Sequence, residues 1–109
     1  MAVTETWTAL ADPSRRALLD LLRAGPMPVG DLARATRLPQ PSASKHLRVL
    51  RDAGLVQVER DAQRRLYALV PAGFAELDAW LAPYRRLWNE RLDTLAAHLD
   101  ERDPHEGEP

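Results

Sequence analysis

The chain has 109 residues, 45% hydrophobic, with a formal net charge of −1. That is enough for one domain with a small core and too apolar for a disordered chain. With no cysteine, disulfides, thiolate metal sites, thiol redox sensing and cysteine nucleophiles are excluded. No apolar run approaches the roughly 18 residues of a membrane span, and the N-terminus lacks a basic-then-apolar signal, so the expected location is the cytoplasm.

The net charge hides a segregation. From Pro13 to Arg65 there are 11 basic residues and 5 acidic ones, whereas the remainder carries 4 basic and 11 acidic. A basic central block beside acidic ends suits a nucleic-acid-binding face on an otherwise solubilised body. The basic residues are 14 arginines and one lysine, a preference that genome composition can also produce.

Val3 to Ala11 is a short helix candidate with Val3, Trp7, Leu10 and Ala11 on one side. So short a helix is marginal alone and must dock on something. Asp12 then suits an N-cap and Pro13 a first helical residue. The helix from Pro13 to Ala24 is predicted to bury Ala17, Leu18, Leu21 and Leu22 and to end at Gly25-Pro26. Arg23 reads as a solvated residue; Arg15 and Arg16 are within reach of a phosphate.

Pro26-Met27-Pro28 forms a stiff linker. Val29 to Thr36 follows as a short helix with Val29, Leu32 and Ala33 inward, and Leu38 anchors the turn after it. Next comes a longer helix starting near Gln40, since Pro39 and Pro41 fit only a loop or a first turn. Ala43, Leu47 and Leu50 form its apolar stripe, and Gly54 suits a left-handed cap at its end. The opposite side carries Pro41, Ser44, Lys45 and Arg48, flanked by Ser42 and Arg51. A helix that packs on one side and offers short polar and basic groups on the other can lie in a major groove. It also fits any solvated helix; the short helix before it favours a helix-turn-helix pair over 29–53.

Between residues 55 and 70 the period changes to that of a strand. Val56 and Val58 alternate with Gln57 and Glu59, and Tyr67 and Leu69 with Leu66 and Ala68. The charged stretch Arg60 to Arg65 forms the hairpin tip, so the pair is a wing whose arginines suit a minor groove or flanking phosphates. A solubilised turn is common for any hairpin, though three arginines within six residues weaken that reading.

From Pro71 to Arg102 the chain is helical again. Leu77, Leu81, Tyr84, Trp88, Leu92, Leu95 and Leu99 step by three and four, with Trp80 and Leu87 beside the seam. Pro83 predicts a kink or break near Ala82. The seam is too apolar for a surface helix on so small a monomer. Part of it should therefore meet a symmetry mate, with the Trp7 helix beside it. Asp103 to Pro109 is acidic and without period, the composition of a disordered tail. The fold class is thus mainly α with a β-hairpin wing, one domain over 1–102 with helices 3–11 and 71–102 available for dimerisation.

Three motifs carry a family resemblance: Ala9-Leu10-Ala11-Asp12-Pro13-Ser14-Arg15, the run Gln40-Pro41-Ser42-Ala43-Ser44-Lys45-His46-Leu47-Arg48-Val49-Leu50, and Asp52-Ala53-Gly54-Leu55-Val56. With them the chain resembles the ArsR family of bacterial winged-helix transcriptional repressors over Val3 to about Val70. Its last helix, from Trp80 to Trp88 with Arg91-Leu92, looks like that of the metal-independent branch, some members of which repress their own operons. The resemblance implies homodimers joined through the first and last helices, here Trp7, Leu10, Trp80, Leu81, Tyr84, Trp88, Leu92, Leu95 and Leu99.

It also implies two kinds of sensor site to look for. The arsenic and cadmium type places two cysteines where this chain has Pro28 and Gly30. The zinc and cobalt type is half matched by His98 and Glu101, but its other half falls on Arg85 and Leu87, which cannot bind a cation. Half a tetrahedral site is not a site, even with His105 nearby in a shifted register, so no metal and no cofactor are expected. His98 reads as a solvated helix residue.

The implied partner is double-stranded DNA, bound as an imperfect palindrome by two helices in successive major grooves about 34 Å apart. Lys45 is placed to reach a guanine edge or a phosphate. Gln40 suits a bidentate contact to adenine or the capping of its own turn. His46, beside the buried stripe, is either a packed, hydrogen-bonded histidine or a base contact. Ser42 and Ser44 serve as helix starters or as contacts, with the resemblance favouring contact for Ser44. Arg48, Arg51, Arg64 and Arg65 suit phosphates. The alternative is a winged-helix module that binds protein rather than DNA. No glycine-rich phosphate loop, no nucleophile with a nearby base and no facing carboxylate pair supports an enzyme.

Overall fold

The computed structural model describes residues 3–106 of the chain; Met1, Ala2 and Gly107 to Pro109 lie outside it. Its elements are α1 (Val3–Leu10), α2 (Pro13–Leu22), α3 (Val29–Thr36), α4 (Gln40–Asp52), β1 (Val56–Asp61), β2 (Arg64–Leu69), a 3-10 turn (Pro71–Phe74) and α5 (Ala75–Glu106). The chain divides into two compact units, up to Leu77 and from Asp78 onward.

The first unit holds the core. Leu18, Leu32, Leu47, Leu50 and Leu55 are its fully buried large side chains, one or two from each of α2, α3, α4 and the start of the hairpin. Each such leucine contributes roughly 1.5–3 kcal/mol by leaving water. α2 packs on α1, α3, α4 and β2, so its buried arc is wider than a stripe. Leu18, Leu19 and Leu22 are buried, while Ala17 and Leu21, expected inside, are only half-buried. α1 docks through Thr6 and Ala9, both almost completely buried, and leaves Trp7 exposed. Small side chains allow the close approach that a tryptophan would block.

The ends of the helices carry their own logic. Asp12 caps α2 by accepting hydrogen bonds from the Ser14 and Arg15 amides at 2.7 and 3.2 Å, with Pro13 as the first helical residue. The α3–α4 turn is closed by Arg37 in the left-handed region (φ 59°), which lets the Leu38 amide donate to the Ala33 carbonyl at 3.0 Å. Gly54 (φ 78°) does the same for α4, with the Leu55 amide donating to Leu50 at 2.9 Å.

The hairpin is antiparallel and pairs Val56 with Leu69 through to Asp61 with Arg64. The loop is therefore only Ala62-Gln63, and the charged residues at 60, 61, 64 and 65 belong to the strands. Met27 adds a third edge: its amide donates to the Tyr67 carbonyl at 3.0 Å and the Tyr67 amide donates back at 2.8 Å. The Pro26-Met27-Pro28 linker is thus held straight against β2.

After the hairpin, Pro71 to Phe74 forms a separate 3-10 turn rather than the first turn of α5. The turn sits hard against the end of α4. A Cβ on Gly73 would stand 2.0 Å from the Gly54 carbonyl oxygen, so only glycine fits there.

In the second unit α5 is one continuous helix through Pro83, so the expected interruption near Ala82 is not a break into two helices. Proline removes one amide donor and crowds the preceding turn. Arg85 spans that turn, pairing with the Asp78 carboxylate at 2.9 Å and donating to the Asp78 carbonyl at 3.4 Å. Trp80 stacks on Tyr84 with ring centroids 4.7 Å apart. The helix extends to Glu106, through residues 103–106 that composition assigned to an unstructured tail.

Candidate nucleic-acid interface

α4 turns its buried stripe of Ala43, Leu47 and Leu50 to the core. With 100° between successive residues, the opposite face then holds Pro41, Lys45 and Arg48, all exposed, with Ser44 and Arg51 toward one edge. Beyond that edge stands β2. Ser44, Arg48, Arg51, Arg65 and Tyr67 line a cleft of about 280 Å³ between helix and hairpin. Three guanidinium groups and two hydroxyl-bearing side chains around one cleft suit a phosphate oxygen.

The hairpin register decides which wing arginines join this face. Successive residues of a strand point to opposite sides, so Arg65 shares its side with Tyr67 and with Arg60, the residue directly opposite it. Arg64 lies on the reverse side, opposite Asp61. The register thus sets Arg60 beside Arg65 on the side of Tyr67, and Arg64 on the reverse side. Periodicity does not single out Arg60, because its side depends on the two-residue loop. Two like charges directly opposite destabilise a hairpin by a few tenths of a kcal/mol to about 1 kcal/mol.

The arginines of the first unit separate by what they do. Arg15 donates from Nε to the Ala9 carbonyl at 2.7 Å and from a terminal nitrogen to Thr8 at 3.0 Å; Arg16 donates to Leu10 at 2.7 Å. Both were expected to be within reach of a phosphate. Instead they satisfy the last carbonyls of α1, which ends without a basic residue of its own. Arg34 pairs with Asp31. Among the described residues, Lys45, Arg48, Arg51, Arg60 and Arg65 have no ion-pair partner.

His46 and Ser42 lie on the other flank of α4, away from the cleft. His46 is half-buried, its Nδ1 3.5 Å from a terminal nitrogen of Arg15. Of its two readings, the packed one describes its surroundings. Gln40 is exposed and reaches back to α3, where a Cβ on Gly30 would lie 3.9 Å from its Oε1. Beneath His46, burial favours protonation of Asp12, but the Arg15 and Ser14 amides and the charges of His46 and Arg15 together hold its carboxyl below the ordinary carboxylate value.

The residues expected at a dimer seam are open. Trp7, Trp80, Tyr84, Trp88, Leu92, Leu95 and Leu99 are exposed, Trp88 by 65%, and Leu87 joins them; Leu10 and Leu81 are half-buried. No described helix is long and apolar enough to cross a membrane.

Residues 10–59, from the end of α1 to β1, match a family described as a helix-turn-helix domain. An HTH-type transcriptional regulator of Mycobacterium tuberculosis is 42% identical over 94 residues, 86% of this chain and 85% of that protein. The crystal structure of an ArsR-family transcriptional regulator superposes with a TM-score of 0.68 at 36% identity, covering 80% of this chain and 96% of that one. The chain belongs to the ArsR family of transcriptional regulators. A Mycobacterium bovis homologue, described as a homodimeric winged helix-turn-helix DNA-binding domain and a possible ArsR-family regulator, covers 84% of this chain at 29% identity with a TM-score of 0.61.

Within this ArsR-family fold the sensor positions of metal-binding relatives are filled by other chemistry. Pro28 and Gly30 occupy the start of α3 where the cysteine run would fall. Arg85 is committed to Asp78, and a cation there repels a metal ion. The side chains of Glu101 and His105 lie outside the described ones.

Proposed function

We propose that this regulator is a cytoplasmic homodimer that binds an imperfect palindrome in double-stranded DNA and represses transcription, its own promoter included. The observation that carries the reading is the cationic surface made by Lys45, Arg48 and Arg51 of α4 with Arg60 and Arg65 of the hairpin, none of them in an ion pair among the described residues. Lys45, Gln40 and Ser44 face the bases, Pro41 packs against the groove, and Arg48, Arg51, Arg60 and Arg65 bind phosphates. Dimerisation through the exposed Trp80-to-Leu99 seam of α5, together with Trp7 and Leu10, sets two such surfaces one helical turn apart. The homodimeric M. bovis domain supports this arrangement. The assembly takes no metal.

Four phosphate contacts from each protomer make eight, for which log Kd should rise with log salt by about 7. DNase footprinting on the region upstream of the gene tests the reading, and two protected half-sites about 10 base pairs apart are expected. Lys45→Ala should weaken operator binding by about 1–3 kcal/mol. If the wild type fails to bind duplex DNA even at low ionic strength, the winged-helix protein-binding module replaces it.

A further inference from the structure

Arg15 makes more internal contacts than any other cation of the first unit, and they join three helices. Its amide donates to the Asp12 carboxylate that caps α2. Its Nε and one terminal nitrogen donate to the Ala9 and Thr8 carbonyls at the end of α1. The other terminal nitrogen faces Nδ1 of His46, in the middle of α4, at 3.5 Å. From this geometry we infer that Arg15 is a positioning residue for DNA binding: through His46 it sets how the groove-facing side of α4 is presented relative to α1. The inference rests on the DNA-binding reading above.

The chemistry is directional. A guanidinium has donors only, so when the imidazole is neutral, contact with Nδ1 requires that nitrogen to carry its lone pair. The ring proton then sits on Nε2, and one imidazole tautomer is selected. Guanidinium planarity fixes the fan of donors, so the nitrogen facing His46 is oriented by the two that hold α1. Lysine, with one nitrogen, cannot cap α1 and face His46 in the same geometry. His46 lies one turn from both Ser42 and Val49-Leu50, on the flank of α4 away from the cleft lined by Ser44, Arg48 and Arg51. The Arg15–His46 contact thus bears on the aim of α4 from the flank opposite the cleft, without touching any DNA-facing side chain.

The test has two arms on the full chain. In the free protein, nitrogen-detected NMR of His46 should show the Nε2–H tautomer, and Arg15→Lys should shift the population toward Nδ1–H. An unchanged His46 spectrum overturns the proposal, whatever the DNA data show. In the second arm, affinity for a footprinted operator is measured for Arg15→Lys, His46→Leu, His46→Asn and Arg15→Lys/His46→Leu, with melting curves to confirm folding. His46→Leu should bind about tenfold more weakly. His46→Asn, whose Oδ1 replaces Nδ1 as an acceptor, should retain most of the affinity. Arg15→Lys should add little on the His46→Leu background. Full additivity of the two substitutions, or a His46→Leu variant that binds like the wild type, overturns the coupling. If the wild type binds no DNA, the function above fails instead, while the NMR arm still decides the Arg15–His46 contact.

Discussion

Of the glycines Gly25, Gly30 and Gly73, Gly73 is the one at which an added Cβ would meet backbone. A Cβ at residue 73 would stand 2.0 Å from the Gly54 oxygen, 2.8 Å from the Gly54 carbonyl carbon and 3.3 Å from the Leu55 Cα. All three are backbone atoms, so no rotamer change relieves the overlap. Normal carbon contacts lie near 3.5–4.0 Å, and the two segments would have to separate by more than 1 Å. That separation also strains the Val70 amide bond to the Leu55 carbonyl, now 2.9 Å. At about 3 kcal/mol, the upper range of overpacking, the melting temperature should fall by about 12–24 °C for a domain of this size. The assay is thermal unfolding by circular dichroism, with Gly30→Ala as the control. A Cβ on Gly30 meets only the ends of the Arg34 and Gln40 side chains, at 3.6 and 3.9 Å, and alanine is favoured in a helix by up to about 1 kcal/mol. A Gly73→Ala protein melting within about 3 °C of the wild type would refute the close approach of the 3-10 turn to the end of α4.

Other outcomes are as specific. Arg60→Ala should weaken operator binding and lower the salt slope by about 1 for each phosphate that is no longer neutralised, while Arg64→Ala leaves both nearly unchanged; equal effects would reject the register argument. Trp88→Glu places a charge in the proposed seam and should reduce the light-scattering mass from two chains to one, with the helical circular dichroism retained. The Asp12 carboxyl is held below its ordinary value, so its stabilisation is present above the unfolded value near 3.9 and is lost as the pH falls through the folded value. The melting advantage of the wild type over Asp12→Ala should accordingly narrow below about pH 4.

Much of the fold is legible in the chain because its signals are local. Gly54 and the Asp12-Pro13 pair announce helix ends, and the Ala43-Leu47-Leu50 stripe names the buried side of α4 before any neighbour is known. What escapes is tertiary. α2 is enclosed by four elements, and periodicity could not say that Leu19 would be inside and Leu21 at the margin. On α1 hydrophobicity gave no hint that Thr6 and Ala9 would be the buried residues. Pro83 was read by its local cost, yet the helix runs on through it. The roles of Arg15 and Arg16 depend on α1 carbonyls brought near by folding. The side of the wing that lines the cleft was hidden for another reason: Ala62-Gln63 lacks the Asn-Gly or Asp-Gly signature of a two-residue turn, so the register, and with it Arg60, could not be fixed.

The opposition of Arg60 and Arg65 across the hairpin has a consequence for how the free and bound proteins differ. The Arg60–Arg65 rung carries a like-charge repulsion inside a ladder that stays paired out to Asp61 and Arg64, beside a loop that places Ala62 at φ 58°. An anion shared by the two guanidinium groups turns that repulsion into a clamp. The last rungs should therefore exchange their amide hydrogens quickly in dilute buffer and slowly once a phosphate is present, with the inner rungs at Val56 and Leu69 indifferent. The wing would then be a part that hardens on contact.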